Sequence, residues 1–415
     1  MNYLKNNKII FHVDFDSYFV NASLVHFPSL KNKDIVISRK NDNSIITSAS
    51  YSLKNIGIKA GMPLWMARKI KRDFIVIEPK LGLYSAYSAK IFEYVSKKYC
   101  KHMEVASIDE FYLDLTNKIT NKIEALEFAK VLQNDILQTF KIPCTIGISF
   151  SKFYAKMTTN LIKPFNYKFV AYEDISDIFY DLDISEIHGV GKNTEAILRE
   201  MGINKIGDLA KRKDFDIHIK EALGIVGWKL ISEVKGYGNE QVASKAAEYK
   251  VIGNETSFSH QGCDDYWTLI DTLKQLTKKV CLRAQNRNLV GDSIVLINKK
   301  NHKKWTNKSV RLDEFTNDYE QIIQKAIGSF RKNYNGEALK GIGIRLCNLH
   351  NNSTIKKNIS IFEANSVVNN NSKVISIIED INNKMGERVL NTLEESSKDK
   401  TKHLPQKRFL LEDLD

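Results

Sequence analysis

The residues of this sequence best suited to chemistry are an adjacent pair of acids, Asp109 and Glu110. They lie between Val105–Ile108 and Phe111–Leu115, whose β-branched and aromatic residues are typical of strands. In a straight strand the two carboxylates would point to opposite faces of the sheet, so they converge only if the chain turns at this point. Two converging carboxylates repel each other unless a cation lies between them, and a divalent metal ion is the usual partner. A solvated Asp–Glu turn is the alternative.

A second candidate strand, near the N-terminus, also ends in acids. Ile9–Val13 is a nearly continuous apolar run, as expected for a strand buried on both faces, and Asp14 and Asp16 follow it. An acid at the end of a buried strand is unfavourable unless it is paired or used. If the two strands are neighbours, Asp14, Asp109 and Glu110 form a three-carboxylate site for two Mg²⁺ ions, which lie about 3.5–4 Å apart in phosphoryl-transfer enzymes.

Length and composition restrict the class of protein. A chain of 415 residues, of which 43% are hydrophobic and 27% charged, predicts a globular protein of several domains. It has no apolar run of about 18 residues, and Met1–Lys8 is too polar for a signal peptide, so we expect a cytoplasmic protein without a membrane span. Five scattered cysteines without CxxC spacing indicate reduced thiols and no zinc site. The net charge of +13 favours a polyanionic partner, most simply nucleic acid.

The order of the predicted elements indicates an α+β protein. The first part combines a strand at 9–14, the acid hairpin, helices at 83–98, 125–140 and 151–161, and strands at 144–149 and 168–172. A small unit at about 27–79 interrupts it, with strands at 34–38 and 45–48 and a helix at 64–70. From residue 250 an independent β-α-β-β-α-β pattern is predicted, with elements at 250–258, 265–287, 291–298, 303–312, 317–333 and 340–349.

A glycine-containing turn between these parts is typical of a helix-hairpin-helix. Ile187–Lys192 contains Gly189, Val190, Gly191 and Lys192 and opens a helix at 193–201, and Leu223–Trp228 is a looser copy. The glycines allow the backbone to approach a nucleic-acid phosphate, although a tight interhelical turn would use the same residues. The basic residues of the later domain favour a surface that follows a phosphate backbone over a merely solvated face; they are Lys299, Lys300, Lys303, Lys304, Lys308 and Arg311.

Several motifs follow one another in the order found in one protein family. Through these motifs the sequence resembles the Y-family (translesion) DNA polymerases of the bacterial DNA polymerase IV and UmuC type. The motifs are Asp14–Phe19, Ser107–Glu110, Ile148–Lys152 with Ala155–Lys156, Lys163–Pro164, Gly189–Lys192 and Ile252–Thr256. The resemblance covers residues 8–350 and extends into the tail. Asn41–Ile46 and Lys54 favour the UmuC branch, whereas the later motifs suit either, so the branch stays open.

The resemblance implies the α+β fold of a right-hand polymerase. A ferredoxin-like palm would comprise residues 1–23 and 80–172, with small fingers inserted at 24–79. A helix-hairpin-helix thumb would follow at 173–243, a β-α-β-β-α-β little finger at 244–350 and a flexible tail at 351–415.

The resemblance also implies template-directed DNA synthesis of low fidelity, in which a nucleotide passes from a deoxynucleoside triphosphate to a primer 3′ end. Asp14 and Asp109 would hold two Mg²⁺ ions, Glu110 the ion at the primer hydroxyl, and the Phe15 carbonyl one further position. Asp16 would not be a principal ligand. Phe19 matches the steric gate that excludes a 2′ hydroxyl, and the implied nucleotide contacts are Ser17, Tyr18, Phe19, Ser48, Tyr51, Lys54 and Lys163.

One departure from the family pattern affects the phosphate contacts. Tyr51-Ser52-Leu53-Lys54 stands where DNA polymerase IV enzymes carry Tyr-Glu-Ala-Arg. Lysine keeps the charge but lacks the planar fork of arginine, so we expect looser phosphate contacts.

The expected partners are primer–template DNA, nucleotides and a sliding clamp, with the enzyme itself a monomer. Family members bind the clamp through a tail peptide of the form Gln-Leu-Ser-Leu-Phe, and Asn358-Ile359-Ser360-Ile361-Phe362 matches it with Asn in place of Gln. This peptide could instead pack on the preceding domain, and Gln406–Leu411 is a rival clamp peptide.

Two functional alternatives differ from an active polymerase. A catalytically inactive, DNA- and clamp-binding accessory protein of the family would be expected to lack the acids, but Asp14, Asp109 and Glu110 are all present. A helix-hairpin-helix nuclease or repair factor would leave Phe19 and the β-α-β-β-α-β domain unexplained.

Overall fold

The computed structural model describes residues 8–238, 241–243, 249–258, 261–300 and 305–355. The chain divides into two compact units between Ala246 and Ala247. Within the described segments, no helix is both long and apolar enough to cross a membrane.

The first unit contains eight strands and eleven α-helices within its described residues. In chain order they are β1 (Ile10–Phe15), α1 (Tyr18–His26), β2 (Ile35–Ile37), β3 (Ser48–Ala49), α2 (Tyr51–Lys54), α3 (Leu64–Ile70), β4 (Ile75–Ile77), α4 (Leu81–Lys98), β5 (Met103–Val105), β6 (Glu110–Asp114), α5 (Lys122–Phe140), β7 (Cys144–Ser149), α6 (Lys152–Ile162), β8 (Tyr167–Val170), α7 (Ile175–Phe179), α8 (Lys192–Glu200), α9 (Ile206–Ala210), α10 (Ile217–Leu223) and α11 (Ile225–Val234).

Strand β1 lies at the centre of a five-stranded sheet of order β5-β6-β1-β7-β8. It pairs antiparallel with β6 on one side and β7 on the other, and all six of its residues are buried, as the apolar run predicts. Phe11, Val13 and Phe15 pack into the core formed with α4 and α5. Because side chains alternate along a strand, His12 and Asp14 face the opposite side, where α6 lies.

Helix α6 lies very close to β7 because residue 147 is glycine. A Cβ atom at Gly147 would overlap the backbone of Ala155 and Thr159. Since residues three, four and seven positions apart share one side of a helix, Lys156, Thr159 and Lys163 project from α6 and its C-terminus toward β1.

The three-stranded sheet has the order β3-β2-β4 and is part of the segment inserted after α1. Ile35 and Ile37 pack on Val20 of α1. The alternate residue Val36 belongs to a separate small core that includes Leu64 and Ala67 of α3.

Part of the strand prediction for this insertion is wrong. The strand predicted at 45–48 is reduced to Ser48–Ala49, and β4 was not predicted. Ile45 forms only an isolated bridge with Pro63, and the backbone of Ile46 bonds to Gly61 and Met62. These bonds go to the loop before α3, so Ile45 and Ile46 pair with no strand, and bonding to β2 begins only at Thr47.

Helices α7–α11 form a separate cluster after β8. Its apolar core includes Ile187, Leu198, Leu209 and Ile231, and it continues onto Phe153 of α6. The helix predicted at 193–201 is confirmed within one residue at each end.

The second unit confirms the predicted β-α-β-β-α-β order. Its elements are β9 (Val251–Ser257), α12 (Tyr266–Gln285), β10 (Leu289–Lys299), β11 (Trp305–Thr316), α13 (Tyr319–Asn333), β12 (Gly341–Cys347) and a short additional β13 (His350–Asn351). The antiparallel sheet has the order β11-β10-β12-β9, and α12 and α13 pack against it in one core. The basic residues Lys299, Lys300, Lys308 and Arg311 lie in or beside β10 and β11, whereas Lys303 and Lys304 fall outside the described residues.

Candidate active site

The predicted acids come together where β1 ends and β6 begins. Asp14 and Glu110 are directly opposite each other in the β1–β6 pair. Asp109 lies in the preceding turn, and its carbonyl oxygen accepts the Phe15 N–H at 2.8 Å. The predicted turn is present and brings three carboxyl groups to one end of the sheet, but it covers Ala106–Asp109. The strand expected at Val105–Ile108 ends at Val105, and Glu110 is the first residue of β6.

The closest group of potential metal ligands includes one residue that the sequence reasoning missed. Ligand atoms of His12, Asp14 and Glu110 all lie within 4.8 Å of one another. Asp109 stands beside this group, and its Oδ1 accepts the Ser107 hydroxyl at 2.5 Å.

Two lysines provide positive charge at these carboxylates. Lys163 Nζ is 2.7 Å from Asp14 Oδ2, and Lys156 Nζ is 2.5 Å from Glu110 Oε2. Burial raises the pKa of Asp14 to about 6 against the opposing effect of Lys163. Burial alone would also raise the pKa of Glu110, but hydrogen bonds from His12 and Lys156 outweigh it and lower that pKa to about 2.

His12 is a neutral hydrogen-bonding partner of Glu110. Burial lowers the pKa of its imidazole to about 4. Its Nε2 is 3.3 Å from Glu110 Oε2 and its Nδ1 is 2.9 Å from Thr159 Oγ1. Because an ionised carboxylate only accepts hydrogen bonds, Nε2 carries the proton that is donated to Glu110.

Two sequence signals could have identified the missed residues. His12 stands two positions before Asp14 and therefore on the same side of β1. Lys156 stands seven positions before Lys163, which places both ammonium groups on one side of α6.

We expect replacement of Lys156 by Met to destabilise the metal-free protein by about 1–3 kcal/mol, because the half-buried Glu110 carboxylate loses a charged hydrogen bond. Addition of Mg²⁺ should reduce this loss, since a cation at the acids replaces the missing ammonium charge. Thermal unfolding with and without Mg²⁺ measures both effects.

The matched control is Lys152→Met on the same helix. Lys152 pairs with Glu104 at 2.6 Å, and neither residue belongs to the acid cluster. Its effect on stability should not depend on Mg²⁺. Equal Mg²⁺ dependence of the two variants would contradict the assignment of Lys156 as a counter-charge of the metal site.

Asp16 is held by three protein groups. Its carboxylate accepts the Thr145 hydroxyl at 2.9 Å, the Tyr51 hydroxyl at 3.1 Å and the Phe165 N–H at 2.9 Å. It is 2% exposed and lies outside the group of ligand atoms around Asp14. Asp16 thus connects the inserted segment, through Tyr51, to the central sheet.

Most of the predicted nucleotide contacts lie around the same acids. The Lys54 ammonium is 4.3 Å from the centre of the Tyr51 ring, and burial lowers its pKa, with a further lowering from nearby Lys163. Ser17 has a left-handed backbone with a φ of 43°, and its buried hydroxyl has no hydrogen-bond partner among the described residues. Ser48 is half-buried in β3, and among the described residues no hydrogen bond joins its side chain to the acids.

Tyr18 and Phe19 differ in environment. Tyr18 is 2% exposed and donates its hydroxyl to the Tyr84 carbonyl at 2.6 Å. Phe19 is half-buried, and its ring stacks on Tyr84 with centroids 4.6 Å apart and planes 13° from parallel. The Tyr84 hydroxyl is in turn 2.8 Å from Ser23 Oγ, so Phe19 rests on a fixed ring.

Both predicted glycine turns are present, but the elements on either side of them differ. In the first, a 3-10 helix at Ile184–Glu186 precedes an exposed Gly189 with a φ of 95°, and Gly191 caps α8. In the second, Gly224 has a φ of 66° and joins α10 to α11. The copy with the looser sequence is therefore the one between two α-helices.

The donor set fits a divalent cation of the Mg²⁺ type. Mg²⁺ prefers carboxylate oxygens and binds through one or two of them together with water and substrate phosphate. Asp14 and Glu110 supply such oxygens, and the high pKa of Asp14 reflects a buried carboxyl group that lacks full compensation for its charge. All five cysteines are free of disulfide bonds.

Comparisons with known proteins agree in pointing to one family. A profile described as the impB/mucB/samB family matches residues 13–160, and the profile of its C-terminal domain matches residues 249–359, which together exceed half of the chain. The DNA polymerase IV of Oceanobacillus iheyensis is 26% identical over 99% of this chain and 98% of its own length. The DNA polymerase IV of Bacillus cereus is 29% identical over 92% of each chain.

Solved structures give the same result. A Y-family DNA polymerase chimera superimposes with a TM-score of 0.71 at 26% identity, covering 82% of this chain and 98% of its own. DinB from Sulfolobus solfataricus gives a TM-score of 0.56 at 26% identity and the same coverage. The two domain profiles, the near full-length relatives and the shared fold lead to one conclusion: the chain belongs to the Y family of DNA polymerases and is DinB-like.

Proposed function

We propose that this chain is a low-fidelity, template-directed DNA polymerase that extends primers past damaged template bases. The observation that carries the proposal is the pairing of Asp14 with Glu110 on neighbouring strands, with Asp109 in the adjoining turn, inside a Y-family fold. The relatives of this chain are named DNA polymerase IV, which supports primer–template DNA and deoxynucleoside triphosphates as the substrates.

Two Mg²⁺ ions would lower the pKa of the primer 3′ hydroxyl and neutralise charge on the triphosphate. Asp14 and Asp109 would hold both ions, Glu110 the one beside the primer hydroxyl, and the Phe15 carbonyl would supply a further ligand. His12 and Lys156 keep Glu110 ionised and oriented through hydrogen bonds to Oε2.

The chain's cations and hydroxyls would bind the nucleotide. Lys163 and Lys54 place two ammonium groups around Asp14, and Lys163 is positioned to exchange its pairing with Asp14 for a phosphate oxygen. Ser17 offers a free hydroxyl, and Tyr51 is already anchored on Asp16. Ser48 and Tyr18 would contribute less directly. The Tyr18 hydroxyl already donates to the Tyr84 carbonyl.

We assign the domains as the sequence suggested. The five-stranded sheet with α4, α5 and α6 would be the palm, the three-stranded insertion the fingers, the α7–α11 cluster the thumb, and the second unit the little finger. The exposed Gly189 and Lys192 and the glycine turn at Gly224 support a thumb that binds DNA phosphates. The enzyme would act as a monomer in the bacterial cytoplasm.

The inactive accessory protein remains less well supported as the alternative. Such a protein would have no need of a buried Asp14 with a raised pKa next to Glu110, an arrangement that is unfavourable without a cation.

Primer extension by the purified chain tests this function. With Mg²⁺ and single nucleotides, each template base should direct incorporation of its complement, and chelation of Mg²⁺ should stop synthesis. Binding of primer–template DNA without any extension would favour the inactive accessory protein.

The clamp-binding peptide yields a separate prediction. Asn358–Phe362 and the rival Gln406–Leu411 both lie outside the described residues. An extended peptide that places Ile361 and Phe362 in an apolar pocket of the clamp would account for apolar residues in a polar tail. Changing both residues to Ala should remove clamp-stimulated synthesis and leave clamp-independent extension unchanged.

The control for the clamp experiment is deletion of residues 406–415. If stimulation survives the double Ala change and disappears only with the deletion, the terminal peptide is the one that binds.

A further inference from the structure

The outer side of α3 carries an exposed aromatic and cationic surface that the proposed active site does not use. Trp65 is 39% exposed, and Met66 and Ile70 beside it are 40% and 47% exposed. Trp65, Ile70, Asp42, Arg68, Lys69 and Arg72 line one shallow groove on this surface.

The packing of α3 fixes which side is free. Leu64 and Ala67 are fully buried in the small core beneath the helix, so the residues between them face outward. The backbone N–H of Trp65 donates to the Asp42 carbonyl at 2.9 Å, and Arg68 Nη1 donates to Asp42 Oδ1 at 2.6 Å. These bonds hold the preceding loop against the helix.

The charge around the indole is positive. The Lys69 ammonium lies over one face of the Trp65 ring, 4.7 Å from its centre, so a stacked base would use the other face or displace this ammonium onto a phosphate. Asp42 pairs with Arg68, and neither Lys69 nor Arg72 forms an ion pair with any residue that the structure describes. A large aromatic ring flanked by unpaired cations matches the surfaces on which unpaired bases stack while lysine and arginine contact their phosphates.

We propose that this outer surface of α3 binds single-stranded template DNA ahead of the primer terminus, with a base stacked on Trp65 and phosphates paired with Lys69 and Arg72. The inference rests on the proposed polymerase function, because only a copied strand supplies unpaired template beside the fingers. Duplex DNA does not fit as well, since its bases are already stacked on each other and leave no ring face for the indole.

The test compares dissociation constants for primer–templates whose template overhang is short or long. The wild type should bind a long overhang more tightly than a one-nucleotide overhang. Trp65→Ala should reduce this gain in affinity by about tenfold, which is the usual contribution of one stacked base. Trp65→Phe, which keeps a ring, should retain part of it, and Arg72→Gln should make the gain less dependent on salt.

Two controls separate this inference from the rest of the account. Trp267→Ala removes a tryptophan that is 71% exposed in the second unit and should leave the overhang gain intact. All variants should extend a primer normally on the one-nucleotide overhang, so failure of the wild type there would count against the polymerase function itself.

The inference is overturned if the wild type gains nothing from a longer overhang, or if Trp65→Ala keeps the full gain. It is also overturned if Trp65→Ala leaves DNA binding unchanged and abolishes only binding of a protein partner, because the surface would then be a protein interface.

Discussion

Glu110→Gln and Asp109→Ala should each reduce primer extension by on the order of 10³-fold, because each removes a ligand that stabilises developing charge through a metal ion. Binding of primer–template DNA should change little, since the affinity comes from phosphate contacts made elsewhere on the chain. Single-turnover incorporation and DNA-binding assays on the same preparations measure the two effects.

The control for this prediction is Glu127→Ala, which removes an exposed acid of α5 that does not belong to the cluster. Glu110→Gln is preferred to Ala because Gln keeps an acceptor for His12 and Lys156 and limits the loss of stability. Extension at close to the wild-type rate by either active-site variant in Mg²⁺ would refute the carboxylate assignment.

Shrinking Phe19 to Ala or Val should raise incorporation of ribonucleotides relative to deoxynucleotides by about 10- to 100-fold. Phe19 is braced by Tyr84, whose ring is parallel to it, so the phenyl group cannot retreat from a 2′ hydroxyl without disturbing the packing beneath. Relief of a clash of this kind is typically worth about 1–3 kcal/mol. The ratio of incorporation efficiencies for the two sugars is the measurement.

Tyr18→Phe is the matched control for the sugar gate. It removes only the hydroxyl that donates to the Tyr84 carbonyl, within a residue that is already buried. We expect it to leave sugar selectivity unchanged. If sugar selectivity changes in Tyr18→Phe and not in Phe19→Ala, the gate is Tyr18 and the assignment to Phe19 is wrong.

The sequence predicted the acid-bearing end of the sheet well because the signals there are strong. A buried apolar strand that ends in Asp14 and an acid pair at a turn leave few arrangements other than neighbouring strands, and β1 and β6 are neighbours. The order of elements in the second unit was equally predictable, since long amphipathic helices such as α12 and α13 separate its strands.

What the sequence did not reveal depends on contacts between distant segments. Lys156 and His12 acquire their roles only when α6 lies on the sheet, and Gly147 makes that approach possible. The strand expected around Ile45 failed for a similar reason. Its β-branched residues satisfy the propensity for a strand, but its backbone bonds to the loop that leads into α3.

The central claim is that this chain copies past a damaged template base with the acids at the ends of β1 and β6. The most direct test is extension of a primer across a single abasic site in Mg²⁺ by the wild type and by Glu110→Gln. The account predicts insertion opposite the site and continued synthesis by the wild type, with neither step by the variant. Arrest of the wild type directly before the abasic site, under conditions in which it copies undamaged template, would contradict the claim.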